Sequence, residues 1–303
     1  MATLWPSFPH FSRFASDLRL FGIRLNSAMI SSIELEQELK KISLLDKTTV
    51  PFFFDIKGRQ LRITEFRLNP DYLDITINHP IEVKTPVVVL FKAGEDYAVL
   101  DKITEGGQRL IFAGGPSMMV KPGESLYIRD ASLKVSGNQF IQQEMEKIEM
   151  VKAFGFKRYC LSYVQNQKDV DEFLEIVGKD SEVMLKIENV KGLEYVAREF
   201  KKKPNLSLIA ARGDLYVEIE RPHEIMDALR LIVEKDPEAC VGSRLFLSIV
   251  DGPVPTCADF LEIAWLYDIG YRKMLLCDEI CLKEQFLTAA VNAFDSFKKA
   301  YIK

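Results

Sequence analysis

From residue 151 onward the chain alternates short apolar runs with stretches whose apolar residues recur three and four positions apart, and this alternation limits the fold more than any other feature. Repeated strand and amphipathic-helix units bury both faces of their strands by laying helices against a parallel sheet. Residues 159–163, 183–187, 206–210, 240–247 and 272–276 read as strands, and 167–177, 193–200, 222–233 and 258–267 as the helices between them. Upstream, residues 12–20 read as a helix, 22–25 as a strand, 33–42 as a helix and 50–54 as a strand. These make seven strands where a closed barrel needs eight. Either residues 3–5 supply a stunted first strand or the barrel is incomplete.

Residues 63–136 break the pattern. Alternating runs at 73–77, 87–91, 97–100 and 125–129 lie between Gly- and Pro-containing turns, as in a small β-rich unit. The expected fold is therefore α/β, a TIM-type (β/α) barrel with residues 1–62 as its first part, 63–136 as a reduced β-rich inserted domain and 137–303 as its second part. A chain of 303 residues suffices, since such a barrel alone commonly takes about 250 residues.

Charge narrows the partners. With 40 Lys and Arg against 44 Asp and Glu there is no basic field for nucleic acid, so the expected ligand is small and held locally. The first twenty residues hold no basic segment followed by a long apolar run, so neither a secretory signal nor a membrane span is expected. Five cysteines, an odd number with no C-x-x-C pair, read as buried free thiols, which suits the cytoplasm. His10, His79 and His223 have no ligand partners at recognisable spacing and read as surface or capping residues.

The chemistry lies at two strand ends. One strand runs out through Lys186-Ile187-Glu188-Asn189 and the next through Ala211-Arg212-Gly213-Asp214-Leu215-Tyr216-Val217-Glu218. In a barrel the C-terminal strand ends share one mouth, so Lys186, Glu188 and Asp214 can converge although far apart in sequence. Two carboxylates and a lysine suit a metal-assisted site for an anion, with Mg²⁺ or Mn²⁺ the hard cations that keep positions open for substrate oxygens. Taken alone, a Lys and a Glu two apart are more often a surface ion pair.

These two segments resemble the strand ends of pyruvate kinase, which carry Lys-Ile-Glu-Asn and Ala-Arg-Gly-Asp-Leu-Gly-Val-Glu. Arg24-Leu25-Asn26, Asp55-Ile56-Lys57-Gly58-Arg59-Gln60-Leu61-Arg62, Gly242-Ser243-Arg244-Leu245 and Pro255-Thr256-Cys257-Ala258-Asp259 resemble further segments of that family in the same order. The resemblance implies metal-dependent phosphoryl transfer involving phosphoenolpyruvate and pyruvate. Glu188 and Asp214 would hold the divalent metal, Lys186 would stabilise the transferring phosphoryl group and enolate, and Arg24 would clamp the phosphate. Arg212 and the Gly213 and Asp214 backbone would take part in substrate binding, and Ser243, in place of the family's threonine, would relay a proton.

The departures matter as much. Asn26-Ser27-Ala28-Met29 replaces Asn-Phe-Ser-His, Ile56 replaces a threonine and Gln60 a glutamate. Asn26 and Asp55 are thus what is left of a degenerate monovalent-cation site, and K⁺ dependence is expected to be lost. Cys277-Asp278-Glu279-Ile280 replaces Ser-Gly-Glu-Thr, the inserted domain is short, and no C-terminal regulatory domain is expected. A nucleotide partner is less well supported than the phosphorylated or 2-oxo acid substrate, and self-association would run through the barrel helices. Two alternatives stand beside phosphoryl transfer: nucleotide-independent enolate chemistry on a 2-oxo acid, by a decarboxylase or lyase, and a non-catalytic binding module.

Overall fold

A computed structural model describes residues 1–45, 49–69 and 72–301. The chain opens with β1 (Ala2–Thr3), α1 (Phe11–Phe14), β2 (Ile23–Asn26), α2 (Ser32–Ser43) and β3 (Phe52–Ile56). An antiparallel region follows: β4 (Ile63–Asn69), β5 (Tyr72–Ile77), β6 (Ile81–Glu82), β7 (Val87–Phe91), β8 (Asp96–Thr104), β9 (Arg109–Ala113) and β10 (Lys134–Val135). The chain then alternates through α3 (Gln142–Ala153), β11 (Arg158–Leu161), α4 (Gln167–Val177), β12 (Glu182–Ile187), α5 (Val190–Arg198) and β13 (Leu206–Ala211). It ends with α6 (Arg212–Glu218), α7 (Ile225–Lys235), β14 (Cys240–Gly242), α8 (Cys257–Asp268), β15 (Lys273–Leu275), α9 (Asp278–Cys281) and α10 (Glu284–Tyr301).

Eight parallel strands form one sheet in the order β1-β2-β3-β11-β12-β13-β14-β15. The first strand is the stunted one: Ala2 and Thr3 pair with Ile23 and Arg24. The ring is closed by main-chain bonds, with the Met1 nitrogen donating to the Met274 carbonyl at 2.7 Å and the Leu276 N–H donating to the Met1 carbonyl at 3.0 Å. The TIM-type barrel is therefore present, and the β-rich region between β3 and β11 has its own five-stranded sheet and its own buried cluster around Ile75, Val89, Leu100 and Phe112. Among the described residues no helix is long and apolar enough to cross a membrane.

Three local expectations change. Residues 12–20 do not make a full helix, because the Asp17 side chain accepts the Arg19 N–H at 3.1 Å and competes with the helical bond after α1. The strand expected over 240–247 stops at Gly242, since Ser243, Arg244 and Phe246 take φ of 73°, 60° and 55°. Among the described residues, 125–129 form no strand of the sheet and pair through isolated bridges, Arg62 to Ser125 and Leu90 to Tyr127, while β4 and β9 supply the sheet instead.

Inside the barrel an apolar layer of Met1, Phe53, Cys160, Met184, Ile209, Cys240 and Leu275 closes the floor. Gly22 lets it pack: a Cβ there would sit 2.9 Å from the Met1 Cε and 3.0 Å from the Phe53 ring. Side chains two residues further along β2, β3 and β12 point the same way, one layer nearer the mouth. Those residues are Arg24, Asp55 and Lys186.

Candidate active site

The barrel's C-terminal mouth holds a cavity of about 600 Å³ lined by Arg24, Asn26, Lys57, Gln60, Lys186, Glu188, Gly213, Asp214 and Ser243, with Arg62, Glu124 and Tyr127 reaching in from the insertion side. Alternation explains the inner wall. Arg24 and Asn26, Asp55 and Lys57, and Lys186 and Glu188 are pairs two residues apart, so each strand end presents two polar side chains to the lumen.

Asp55 is the hub. It is fully buried, and its Oδ2 takes the Arg24 Nε at 2.6 Å and the Lys57 Nζ at 3.1 Å, with the Lys186 Nζ at 3.5 Å. Its Oδ1 accepts from the Ser162 hydroxyl at 3.0 Å, and Ser162 Oγ in turn accepts from Lys186 at 3.0 Å. Burial alone would raise the Asp55 pKa, but Lys186, Lys57 and Arg24 overcome it and hold the group far below the carboxylate range. Burial also works against the Lys186 charge, and Asp55 and Glu188 reverse the effect and raise its pKa. Lys57 goes the other way: burial, with Lys186 and Arg24 nearby, outweighs Asp55 and brings it down to about 8.

Glu188 is buried with both oxygens engaged, Oε1 by Lys186 at 2.8 Å and Oε2 by the Tyr163 N–H at 2.6 Å. Its pKa is raised by burial and by Asp214, against the pull of Lys186. Asp214 enters in the first turn of α6, where its Oδ1 accepts from the Gln60 amide at 2.8 Å and the Tyr127 hydroxyl at 2.7 Å. Gly213 allows this turn to lie against the β14 loop, since a Cβ there would meet the Ser243 Cβ at 3.2 Å. Arg129 also donates to the Val217 carbonyl, so the insertion holds α6 at two points.

The divalent metal expected at Glu188 and Asp214 can be tested against these contacts. Two carboxylates face one cavity, and Asp214 adds to the cost of the Glu188 charge, a conflict that a hard cation would relieve. Only Oδ1 of Asp214 is hydrogen-bonded among the described residues, leaving Oδ2 available. No three His, Cys, Asp or Glu side chains among the described residues cluster closely enough to cage an ion unaided. The donor set fits an ion that takes the rest of its shell from substrate and water, as Mg²⁺ commonly does.

Other expected residues are placed differently. Arg212 does not line the mouth: it donates to the Ser243 carbonyl and to Glu262, each at 2.5 Å. Asn26 donates to Asp278 at 3.2 Å, and Asp278 lies 3.8 Å from the Arg24 guanidinium, bringing a carboxylate to the outer rim. With Lys57 on Asp55, an ammonium group already stands where the degenerate monovalent-cation site was expected. His79 is buried rather than at the surface, whereas His10, also buried, takes a capping position ahead of α1 and bonds the Cys281 carbonyl at the end of α9 at 2.9 Å; Cys257 is exposed rather than buried.

The motifs passed over Ser162, Tyr163, Glu218 as an acting side chain, and Tyr127. Ser162 and Tyr163 follow directly on β11, and position at a strand's C-terminal end was the signal available for them. Tyr127 lies in an irregular segment of the insertion, where barrel reasoning has no purchase.

No family model matches the chain. The pyruvate kinase of Methanocaldococcus jannaschii is 25% identical over 297 residues, covering 92% of this chain and 64% of that protein. The pyruvate kinase of Dictyostelium discoideum is 26% identical over 260 residues, covering 75% of this chain and 51% of that protein. In fold, the chain matches a pyruvate kinase from Pyrobaculum aerophilum with a TM-score of 0.72 at 17% identity, over 97% of this chain and 71% of that one. The chain is pyruvate kinase-like. It spans less than two thirds of the length of these curated relatives. In the pyruvate kinase-like barrel, the side chains that carry the resemblance at Arg24, Asp55, Lys186 and Glu188 are linked by ion pairs, and Asp214 lines the same cavity.

Proposed function

We propose that the protein catalyses metal-dependent phosphoryl transfer involving phosphoenolpyruvate and pyruvate. The observation that carries this reading is the meeting of Arg24, Lys186, Glu188, Asp214 and Ser243 in one cavity beneath the insertion. Glu188 and Asp214 would hold Mg²⁺ or Mn²⁺, which when bound supplies positive charge to the phosphoryl and enolate oxygens. Lys186 is kept charged by Asp55 and Glu188, and it stands ready to neutralise charge on the transferring group. Arg24 binds the phosphate, its guanidinium oriented by the Asp55 bond. The Gly213 and Asp214 N–H groups at the start of α6 receive the substrate carboxylate, and the Ser243 hydroxyl delivers a proton to the enolate carbon.

A second reading, enolate chemistry without a nucleotide, is favoured by one observation. Asp278 places a carboxylate 3.8 Å from Arg24 and opposes additional phosphate charge at the rim. The two are separated by incubating the protein with Mg²⁺, phosphoenolpyruvate and nucleoside diphosphates while following pyruvate. In parallel, deuterium exchange at the pyruvate methyl group is followed without nucleotide. Pyruvate formation that depends on a nucleoside diphosphate supports phosphoryl transfer; methyl exchange alone supports the second reading. Neither signal in a folded, metal-loaded sample leaves a pyruvate kinase-like binding module.

A further inference from the structure

Tyr163 takes φ of 62°, a left-handed conformation that a bulky side chain adopts only where its surroundings enforce it. Both ends of the residue are tied. Its N–H donates to Glu188 Oε2 at 2.6 Å, and its hydroxyl donates to Glu218 Oε1. The side chain is buried, so the ring is a rigid spacer between the two acids. Glu218 lies on α6 one turn beyond Asp214, on the same face of the helix. One short helix thus carries both Asp214 and the anchor of the residue that holds Glu188.

We propose that Glu218 is a positioning residue that acts through Tyr163 to fix the Glu188 carboxylate relative to Asp214. The inference rests on the metal-and-oxyacid reading of the mouth. Of the two Glu188 oxygens, Oε1 is held by Lys186, and Oε2 is held by the backbone N–H of Tyr163, which is in the left-handed conformation. Freed from Glu218, the tyrosine relaxes toward ordinary φ, its N–H turns away, and Glu188 swings on the Lys186 contact alone. The β12 end and α6 then lose the link that sets the spacing of their carboxylates.

The test titrates Mn²⁺ into the whole chain in the presence of oxalate, with hydrogen exchange of the Tyr163 amide measured alongside. Glu218→Ala and Tyr163→Phe are each expected to weaken Mn²⁺ binding on the order of tenfold, as loss of an outer-shell partner does. The double variant should be no worse than the weaker single, because both cut the same link. Glu218→Gln keeps an acceptor for the hydroxyl and should bind Mn²⁺ like the wild type, which a loss of packing would not explain. The Tyr163 amide should exchange faster in Glu218→Ala and Tyr163→Phe. If both folded variants bind Mn²⁺ as the wild type does, with the Tyr163 amide equally protected, the proposal is overturned. Should wild type not bind Mn²⁺ with oxalate, the metal reading falls, and amide exchange alone then decides whether Glu218 holds Tyr163 in place.

Discussion

The inner and outer halves of the barrel mouth differ in how completely their charges are answered. Inside, Arg24, Asp55, Lys57, Lys186 and Glu188 are all buried, and each makes an ion pair within 3.5 Å of a neighbour on the same or an adjacent strand. At the rim, Asp278 and Glu124 keep 34% and 29% of their side chains exposed, and acids stand beside Asn26, Arg24 and Lys92. Buried ions are costly to leave unpaired, so the inner half cannot lose one member without penalty, whereas exposed rim charges can be exchanged cheaply. A chain can therefore keep the inner charge network of such a mouth and vary its rim.

The largest effect expected to break this contrast is at the hub. Asp55→Asn removes the carboxylate shared by three cations and should lower stability by about 3–5 kcal/mol, read by chemical denaturation. A loss below about 1 kcal/mol would show that the inner charges are solvated after all. Lys186→Met should cost about 3 kcal/mol in the barrier to phosphoryl transfer, roughly a hundredfold in rate, with a smaller loss of Mn²⁺ affinity, about tenfold, because the mutation also removes one of the two contacts on Glu188. An equal fall in rate and metal affinity would place Lys186 in metal binding instead.

Glu218 gives an effect of sign opposite to a salt-bridged acid. Burial, with Asp214 and Glu188 nearby, pushes its pKa up to about 7 against the bond from Tyr163. The unfolded chain releases this proton near the ordinary glutamate value, so between about pH 4.5 and 7 the folded state binds more protons. Stability should then fall by on the order of 2–3 kcal/mol as the pH rises through that window. Glu218→Gln should flatten the fall, and an unchanged profile would show that the proton resides elsewhere.

The rim should respond less. Asp278→Asn removes a carboxylate from beside Arg24 and should tighten inorganic phosphate binding about three- to fivefold, near 1 kcal/mol. Unchanged affinity would mean that Asp278 does not compete at this position. The smallest effect is a null: with Ala28 and Ile56 in place of hydroxyl residues and Lys57 on Asp55, phosphoryl transfer should be nearly indifferent to K⁺ replacing a bulky organic cation.

Much of the inner half was legible in the sequence because it follows from period. A strand's alternation sends residues two apart to one side, so Lys186 with Glu188 and Arg24 with Asn26 had to share the lumen once the barrel was recognised. The barrel was legible too, apart from elements decided by single contacts: the loop after Gly242 turns on three left-handed residues, and no periodicity announces them. Arg212 shows the converse. Its place in the Ala-Arg-Gly-Asp run suggested substrate, yet Glu262 on α8, fifty positions away, draws its side chain out of the mouth. Tyr127 and Tyr163 were hidden for the same reason, since their partners Asp214 and Glu218 belong to a different element.

Everything proposed for the mouth depends on Glu188 and Asp214 making it a divalent-metal and oxyacid site. Calorimetric titration of oxalate, a mimic of the pyruvate enolate, into the protein with and without Mn²⁺ tests it most directly. Oxalate should bind only with the metal present, and binding should be lost in Glu188→Gln and in Asp214→Asn. Oxalate that binds equally well without metal, or that still binds tightly to a folded double variant lacking both carboxylates, would contradict it.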